Sequence, residues 1–483
     1  MANDEQSSVP TADDLGGASP TDAERTAIAC VTAAIEAALP ATVVAKLVSV
    51  DASVLCVGDG AYDLDAYDRL VVVGGGKAAD GAATALEEQL GARIDEGVIV
   101  VDAVDGDSPE EDEASSEGGD PRPGADVDNS QIDRVVGGHP VPTSTGVEGT
   151  ARAVELARSA DENTLVLALV TGGASALFAA PAESVGLAAL RETTDALLRA
   201  GADIDEINAV RKHLSQVKGG RLAAAAAPAT VVGIAFSDVV GDDLSVIGSG
   251  PTAPDDSTYA EALAVLDRYG IDAPAAVDRH LRRGADGTKT ETPTADATVF
   301  DRVETHVLAN AATALDAAAA AAADLGYDPL VLSSRIRGEA RAAGVTHAAI
   351  AEEVADSGNP VEPPAVVLSG GETTVTVDGD GSGGPNLECA LAAGLEFARP
   401  ESPVAERPVA FLAADTDGHD GSTDAAGALV TPQTIADAAD AAAARTALDD
   451  NDALPALRER DAVVQTGATG TNVNDFRVLV VEE

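Results

Sequence analysis

The chain has 483 residues, and this length predicts two domains because it is too great for a single core. Only 2% of the residues are aromatic while 45% are hydrophobic, so the cores must be built from small side chains, which suits helices packed on parallel sheets. The 82 acidic and 30 basic residues give a formal charge of −52, which argues against nucleic acid as a partner and, given regular apolar runs, favours salt adaptation over disorder.

The first half of the chain alternates strands with helices. Residues 1–20 are polar and predicted to be disordered, and helical spacing starts at residue 22 and ends at residue 39. The next predicted strands are 69–73, 98–101, 164–170 and 230–236, with helices at 78–90, 148–158 and 259–269. This alternation predicts a parallel sheet with helices on both faces, while residues 105–130 form an acidic surface insertion.

A polar, turn-rich stretch at residues 276–300 is the predicted linker, which divides the chain into domains at 21–275 and 301–483. A second series of strands and helices follows it. The predicted strands are 305–308, 329–332, 365–368, 408–413 and 477–481, and the predicted helices are 311–325, 338–354, 387–397 and 434–447. We therefore expect an α/β fold in both halves.

Cysteine usage and apolar runs bear on the compartment. Cys30, Cys56 and Cys389 are odd in number and widely spaced, which favours thiols in a reducing compartment over disulfides or a zinc site. No uncharged apolar run of about eighteen residues occurs, and the first residues carry no apolar core. We expect a cytoplasmic protein without a membrane partner.

The turn after the first predicted strand reads Gly74-Gly75-Gly76-Lys77. Backbone amides, a helix N-terminus and a lysine suit an anion there. The turn also fits a dinucleotide-binding pattern, although a lone match is weak. The alternative is that the glycines serve tight packing.

Two further turns carry polar side chains. His139 lies in a rigid Gly- and Pro-rich stretch, where it contacts a substrate carboxylate or only caps a loop. The turn at 171–175 forms a nest of amides for an anion, or offers Ser175 as a nucleophile. A nucleophile elbow is absent, because Ser175 does not stand between spaced glycines.

The segment from Asn208 to Arg221 concentrates five potentially cationic side chains in its last eleven residues, within a very acidic chain. Two of them, Lys212 and Lys218, are among only five lysines in the sequence. A solvated face explains this poorly, so we predict an anion site in which Arg211 and Arg221 grip phosphate or carboxylate oxygens.

Acidic residues follow several strands. Asp238 follows the strand at 230–236, where a carboxylate suits proton transfer or Mg²⁺ binding. Asp415 and Asp417 follow the strand at 408–413 and are the preferred Mg²⁺ ligands or proton acceptor. For Asp242 and Asp243, which follow Asp238, a solvated turn is the alternative, because aspartate is abundant here.

The order of these motifs resembles the glycerate 2-kinases of the MOFRL type, in a haloarchaeal-like form. The resemblance runs from about residue 22 to residue 483 and ends in a motif similar to residues 474–480. It implies two three-layer α/β/α domains, the first Rossmann-like, with the active site in the cleft between them. It also implies that ATP phosphorylates D-glycerate at the C2 hydroxyl to give 2-phosphoglycerate and ADP, assisted by Mg²⁺.

Matching the motifs residue by residue gives a candidate site. Lys77 matches the active-site lysine of these kinases, and the other roles are our inference. The catalytic candidates are Lys77, Arg211, Asp238 and Asp417, and the substrate-binding candidates are His139, Ser175, Asn208 and Lys212. The nucleotide-binding candidates are Gly74, Gly75, Gly76, Gly370, Gly371, Glu372, Asn386, Thr471 and Asn472, and the metal ligands are Asp415 and Asp417.

The chain also departs from the pattern of these kinases, which commonly have Arg and Gln where it has Pro385 and Leu387. The departures put one phosphate contact in doubt. Three alternatives stay open: an NAD(P)H-dependent hydroxypyruvate reductase, a kinase of a related small hydroxy acid, and a non-catalytic sensor of sugar acids. The reductase would need an acidic residue at the end of a second strand, and Asp95 and Glu96 precede theirs. We expect a monomer or homodimer.

Overall fold

The computed structural model describes residues 20–102 and 130–483, so the predicted disorder before residue 20 and nearly all of the predicted acidic insertion lie outside the described residues. The chain forms two compact units. The amino-terminal unit consists of Val44–Phe236 and Asp243–Leu308, and the carboxy-terminal unit consists of residues up to Val43, Ser237–Asp242 and Ala309–Glu483.

The helices have the following bounds: α1 Asp22–Ala38, α2 Pro40–Leu47, α3 Ala79–Leu90, α4 Ser144–Arg158, α5 Ala174–Leu177, α6 Leu187–Arg199, α7 Ile204–His213, α8 Arg221–Ala226, α9 Tyr259–Arg268, α10 Ala275–Ala285, α11 Ala311–Asp324, α12 Ala340–Ser357, α13 Pro385–Phe397, α14 Ala438–Asp449 and α15 Ala453–Arg458. Within the described ranges, no single helix has the length and apolar character to cross a membrane, and only α1 and α2 taken together meet both criteria.

The strands are β1 Val48–Asp51, β2 Val54–Val57, β3 Gly60–Asp63, β4 Arg69–Gly75, β5 Glu96–Val101, β6 Ile132–Val136, β7 Thr164–Thr171, β8 Thr230–Phe236, β9 Val303–Ala309, β10 Asp328–Glu339, β11 Ala365–Thr374, β12 Val409–Asp415, β13 Gly427–Val430, β14 Val463–Val464 and β15 Asp475–Val481. All nine strands predicted from the sequence are present among them.

The main sheet of the amino-terminal unit has the strand order β6-β5-β4-β7-β8-β9. Counted along the chain within this sheet, that is the order 3-2-1-4-5-6 of a dinucleotide-binding fold, and β4 pairs in parallel with both β5 and β7. Every residue of β7 is buried, which explains its continuous apolar sequence. The Rossmann-like prediction is thus confirmed.

A small antiparallel sheet of β1, β2 and β3 precedes this fold and was not predicted. Its strands have four residues each, too short to give a clear periodic signal. Tyr62 of β3 connects it to β9, because its hydroxyl donates to Glu304 Oε2 at 2.6 Å and lies 2.8 Å from His306 Nε2.

The sheet of the carboxy-terminal unit is mixed rather than a second parallel series, and its order is β10-β11-β15-β12-β13-β14. Only β10 and β11 pair in parallel, while β15 enters the centre of the sheet antiparallel to both β11 and β12. The sequence pattern gave no sign of this, because buried central strands are continuously apolar in either direction.

The predicted division of the chain also needs correction. Helix α1 was assigned to the first domain, but it belongs to the carboxy-terminal unit, where it packs on α11, β12 and β15. Thr471 fixes its end, since Oγ1 donates to the Ala38 carbonyl at 2.6 Å. The predicted linker at 276–300 is part of the amino-terminal unit and contains most of α10.

Helices α12 and α13 approach closely at Gly344. A Cβ at this position would lie 2.1 Å from the carbonyl oxygen of Cys389. Because that oxygen belongs to the backbone of α13, the two helices must separate to admit a methyl group. The approach explains the small-residue composition of both helices.

We therefore predict that Gly344→Ala lowers the free energy of unfolding by about 1–3 kcal/mol, although alanine is the better helix former. Urea denaturation in molar KCl measures this. Val345→Ile, which adds a methylene group at an exposed position of the same helix, is the control and should stay within about 0.5 kcal/mol of the parent protein. Equal stability of the two variants would contradict the packing argument.

Candidate functional site

The switch point of the amino-terminal sheet lies between β4 and β7, where the strand order reverses. Ligands of such sheets bind outside the carboxyl ends of the strands at this point. The turns at 74–77 and 171–175 follow these two strands. Both predicted motifs therefore lie at the edge of the sheet where this fold binds ligands.

Packing between the two turns requires the glycines of the first one. A Cβ at Gly74 would lie 1.9 Å from the carbonyl oxygen of Leu169, and a Cβ at Gly76 would lie 2.1 Å from Thr171 Oγ1. The φ angles of these glycines are +145° and +135°, values that other residues rarely adopt. Tight packing, the alternative explanation for these glycines, therefore accounts for glycine at both positions.

The amides that follow these glycines are already hydrogen-bonded. The Lys77 amide donates to the Gly172 carbonyl at 2.8 Å, and the Ala78 amide donates to Thr171 Oγ1 at 3.1 Å. A nucleotide phosphate would have to displace these bonds. The structure therefore shows a packing role for these glycines, and their predicted nucleotide-binding role stays a prediction.

The side chains of Lys77 and His139 both approach Gly173 in the second turn. A Cβ at Gly173 would meet Lys77 Cγ at 3.1 Å and His139 Cδ2 at 3.2 Å. Gly173 itself has a φ of +78°. The fold thus brings a predicted catalytic residue and a predicted substrate-binding residue to the same point.

A pocket of about 360 Å³ in the same unit is lined by Ser175, Arg211 and Lys218, with Pro140, Pro142 and Arg191. Lys218 is buried, and its ammonium group donates to the carbonyl oxygens of Ser175 at 2.9 Å and Gly248 at 3.4 Å. Burial and the neighbouring Arg211 lower the pKa of Lys218 well below its usual range. Burial also lowers the pKa of Arg211.

No described carboxylate pairs with either of these two cations. An anion in the pocket would offset their repulsion and supply the missing charge. The pocket, whose wall also includes Glu192 and Asp195, is therefore a candidate anion site. The sequence analysis named Lys218 in the basic segment but not as a candidate site residue, because nothing in its local sequence distinguished it from the other cations.

Asn208 lies behind the pocket rather than on its wall. Its Oδ1 accepts a hydrogen bond from Ser249 Oγ at 3.0 Å, and that hydroxyl lies 2.8 Å from Ser175 Oγ. Asn208 is buried and therefore orients Ser175 through Ser249. The sequence gave no signal for Ser249, because the two serines are far apart along the chain.

The sequence analysis predicted one anion site for the whole basic segment, but the structure places its cations in different surroundings. Lys212, a predicted substrate-binding residue, is buried in an ion pair with Asp255 at 3.1 Å and does not line the pocket. Arg221 lines a different pocket. The reason is geometric, since neighbouring residues on a helix point about 100° apart.

In the carboxy-terminal unit, carboxylates gather at the end of β12. Asp415 lies opposite Asp475 in the register of β12 and β15. Its Oδ1 accepts from the Asp417 amide at 2.9 Å, and Asp417 Oδ1 accepts from the His419 amide at 2.9 Å. Burial, with Asp417 and Asp475 nearby, raises the pKa of Asp415 well above its usual range.

This excess of negative charge fits a cation. Among the described residues no group of three or more His, Cys, Asp or Glu side chains is arranged to hold a metal ion. Mg²⁺ commonly takes only one or two carboxylates from a protein and completes its shell with phosphate oxygens and water. Asp415 and Asp417 therefore suit Mg²⁺ bound together with phosphates.

Two predicted nucleotide-binding residues instead hold the fold together. Asn386 is fully buried, and its Nδ2 donates to Asp420 at 3.1 Å and to Asp475 at 2.7 Å. Thr471 uses its hydroxyl to fix the end of α1. In Asn472, the neighbouring candidate, Oδ1 accepts a hydrogen bond from the Asn474 amide at 3.0 Å, which shapes the turn.

The remaining predicted residues lie at the end of β11 and after β8. A Cβ at Gly371 would lie 2.0 Å from the Ile336 carbonyl, so this glycine is required by packing, while Gly370 precedes it within the strand. Gly371 and Asp238 line one small cavity of about 30 Å³. Burial raises the pKa of Glu372, as do the neighbouring carboxylates of Asp238 and Asp475.

Comparison with known proteins identifies two families along the chain. The family model described as a domain of unknown function, DUF4147, matches residues 26–282, and the MOFRL family model matches residues 365–475. D-glycerate 2-kinase of Thermotoga maritima is 38% identical over 86% of this chain and 91% of its own length. Glycerate 2-kinase of Pyrococcus horikoshii is 36% identical over 93% and 95%.

Solved structures are similar over nearly the whole chain. A Pyrococcus horikoshii protein has a TM-score of 0.77 at 34% identity and covers 96% of this chain and 99% of its own. Glycerate kinase of Thermotoga maritima has a TM-score of 0.76 at 37% identity and covers 94% and 98%. An Agrobacterium vitis relative, 38% identical over 86% of this chain and 87% of its own length, carries the provisional name of a hydroxypyruvate reductase.

The Rossmann-like sheet with a cationic pocket, and the mixed sheet with clustered carboxylates, define a two-unit α/β protein suited to small phosphorylated or carboxylated ligands. The two family models and the relatives are more specific. The chain belongs to the DUF4147 and MOFRL family, the family of the glycerate 2-kinases.

His347 supports the strand that carries Gly370. It is buried on α12, where Nδ1 lies 2.7 Å from the Ala343 carbonyl and Nε2 lies 2.8 Å from Ser369 Oγ. Burial lowers its pKa from 6.5 to about 4, and Arg477 nearby acts in the same direction. The folded protein therefore holds this imidazole neutral where the unfolded chain would protonate it.

We predict that this histidine makes the protein less stable as the pH falls from about 6.5 towards 4, by up to about 3 kcal/mol, with the full contribution present above pH 6.5. Below pH 4 the loss should level off. Urea denaturation across this range, compared with His347→Gln, isolates the effect from the carboxyl groups, because the variant should lose less stability. If the free energy of unfolding of the parent protein and of His347→Gln fell equally with pH, His347 would not titrate in this way.

Proposed function

We propose that the protein transfers the γ-phosphoryl group of ATP to the C2 hydroxyl of D-glycerate, giving 2-phosphoglycerate and ADP. The observation that carries the proposal is the pocket with Arg211 and Lys218, two neighbouring cations without a carboxylate partner among the described residues. Such a pocket suits a small carboxylic acid. Relatives named as glycerate 2-kinases, at 36–38% identity, favour glycerate among such acids.

In this proposal Arg211 and Lys218 bind the glycerate carboxylate. A planar guanidinium group accepts a carboxylate in a bidentate manner, and the ammonium group adds a point charge. Ser175 supplies a hydroxyl that Ser249 and Asn208 orient through the hydrogen bonds described above. His139 is the further candidate contact to the substrate.

Lys77 offsets the negative charge of the transferred phosphoryl group. The transition state of phosphoryl transfer is loose, so catalysis depends on positioning and charge stabilisation more than on covalent chemistry. Lys77 follows β4 at the switch point, and its amide is anchored to Gly172. This anchoring limits the movement of the side chain and preorganises its charge.

The carboxylates of the other unit serve metal binding and proton transfer. Asp415 and Asp417 would hold Mg²⁺, which when bound to the phosphates neutralises part of their charge. Asp238, which follows β8 by two residues, accepts the proton of the C2 hydroxyl. Asp417 was an alternative acceptor, but a carboxylate that binds a metal ion is a poor base.

The reductase alternative has one observation in its favour besides the name of a relative. Asp102 directly follows β5, so an acidic residue does stand at the end of the second strand, contrary to the sequence analysis. However, the amides of Lys77 and Ala78 that would meet a pyrophosphate already bind Gly172 and Thr171. This occupation favours the kinase.

Product analysis by phosphorus NMR tests the proposal. The protein is incubated in molar KCl with Mg-ATP and D-glycerate, and with NADH and hydroxypyruvate in a parallel sample. We expect 2-phosphoglycerate and ADP. Appearance of 3-phosphoglycerate would overturn the position of attack, and NADH oxidation without a phosphorylated product would favour the reductase.

The role of Lys77 is tested by Lys77→Ala. Loss of a preorganised cation at the transferred group should lower kcat by about 100-fold or more while the fold, followed by circular dichroism, is retained. Lys46→Ala is the matched control, because Lys46 is exposed on α2 and its removal should leave kcat unchanged. Near-normal turnover by Lys77→Ala would remove this lysine from the mechanism.

A further inference from the structure

The amino-terminal unit contains a second, larger pocket of about 910 Å³ that the proposed reaction does not use. Arg221, Tyr259, His280, Lys289 and Glu291 lie on its wall, and Ser215 is the one residue it shares with the pocket of Arg211 and Lys218. The two pockets therefore have separate walls, and the basic segment contributes to both.

Arg221 presents an incompletely bonded guanidinium group to this pocket. Its Nη2 donates to the Tyr259 hydroxyl at 3.2 Å, but its Nε is buried without a hydrogen-bond partner among the described residues. No described carboxylate forms an ion pair with it. Nη1 also makes no hydrogen bond to a described residue, so the guanidinium group keeps a donor for a ligand oxygen.

Lys289 adds a second cation. It is half-buried, and its ammonium group makes no ion pair with any described carboxylate. Both Lys289 and Arg221 are close enough to His280 to lower its pKa, after the larger effect of burial, to about 4. The two positive charges thus act on one region of the pocket wall.

The acidic residues of the pocket form no ion pair with these cations. Glu291 accepts hydrogen bonds from the Tyr259 amide at 3.1 Å and lies 3.1 Å from His213 Nε2, so its carboxylate is already committed. Glu183 is exposed at the rim and pairs with neither cation. Arg221 and Lys289 therefore stand without an ion-pair partner among the described residues, in a chain whose formal charge is −52.

We propose that this pocket is a second, non-catalytic anion site that binds a phosphate monoester. A dianion with three acceptor oxygens suits two unpaired cations together with the hydroxyl groups of Tyr259 and Thr294. The wall also has apolar surface from Ala224, Ala225 and Pro293, which accommodates the carbon skeleton of such a ligand. The site does not depend on the proposed kinase reaction, because binding alone defines it.

Equilibrium binding of glycerol 2-phosphate, followed by isothermal titration calorimetry in molar KCl without nucleotide, tests this site. Salt at that concentration screens charges beyond about 3 Å, so only direct contacts contribute. We expect Lys289→Gln and Arg221→Gln each to weaken binding by about tenfold or more. Arg283→Gln, which removes an exposed cation outside the pocket, is the matched control and should bind normally.

Arg211→Gln distinguishes this site from the first pocket. If it abolishes binding while Lys289→Gln and Arg221→Gln retain it, the phosphate ester occupies the first pocket and the proposal is overturned. Absence of binding to the parent protein would overturn it as well. Because Arg221→Gln removes a contact to Tyr259, its fold is checked by circular dichroism, and Lys289→Gln decides the question if that variant does not fold.

Discussion

The close contact between the turns after β4 and β7 is the constraint on which the site of the amino-terminal unit depends. Gly74 and Gly76 leave no room for a side chain against Leu169 and Thr171, so the two turns pack backbone to backbone. This packing uses the amides that a dinucleotide-binding fold usually offers to phosphate. As a result, the amides of Lys77 and Ala78 are not free for a ligand, and the proposed function assigns the charge at this switch point to the side chain of Lys77.

That reliance on side chains explains why cations matter so much in this acidic chain. Holding Arg211 and Lys218 side by side without a carboxylate costs free energy that the fold offsets only in part, through the carbonyl oxygens around Lys218. Lys212 shows the opposite solution, since Asp255 neutralises it completely inside the unit. The unpaired cations therefore fit the proposed binding of an anion, whereas the paired one stabilises the fold.

The sequence predicted where polar turns follow strands, because β4, β7 and β8 are apolar runs that end in glycine or aspartate. It did not predict which side chains of those turns face a ligand. Arg211 and Lys212 are adjacent, yet Arg211 lines the pocket and Lys212 forms an ion pair. The difference arises from helix geometry and from Asp255, which is distant in the sequence. Local pattern contains no information of that kind.

Contacts between residues far apart in the sequence are the other feature that could not be predicted. Helix α1 and strand β15 lie at opposite ends of the sequence, yet they pack together in the carboxy-terminal unit. Thr471 and Asn386 resembled ligand-binding residues because they are polar and lie in loops or at helix starts. In the structure both are buried and make hydrogen bonds within the fold. Thr471 donates to the Ala38 carbonyl, and Asn386 donates to Asp475.

The same argument explains the two departures from the pattern of the related kinases. Pro385 is the first residue of α13, a position where the missing N–H costs nothing and the fixed φ suits a helix. Asp420 receives the next two amides, those of Asn386 and Leu387, and so completes the cap of the helix. The Leu387 side chain is fully buried in the core, where a glutamine would need polar partners. In this chain the segment therefore stabilises the start of α13, and in the proposed reaction the positive charge at the transferred phosphoryl group comes from Lys77 instead.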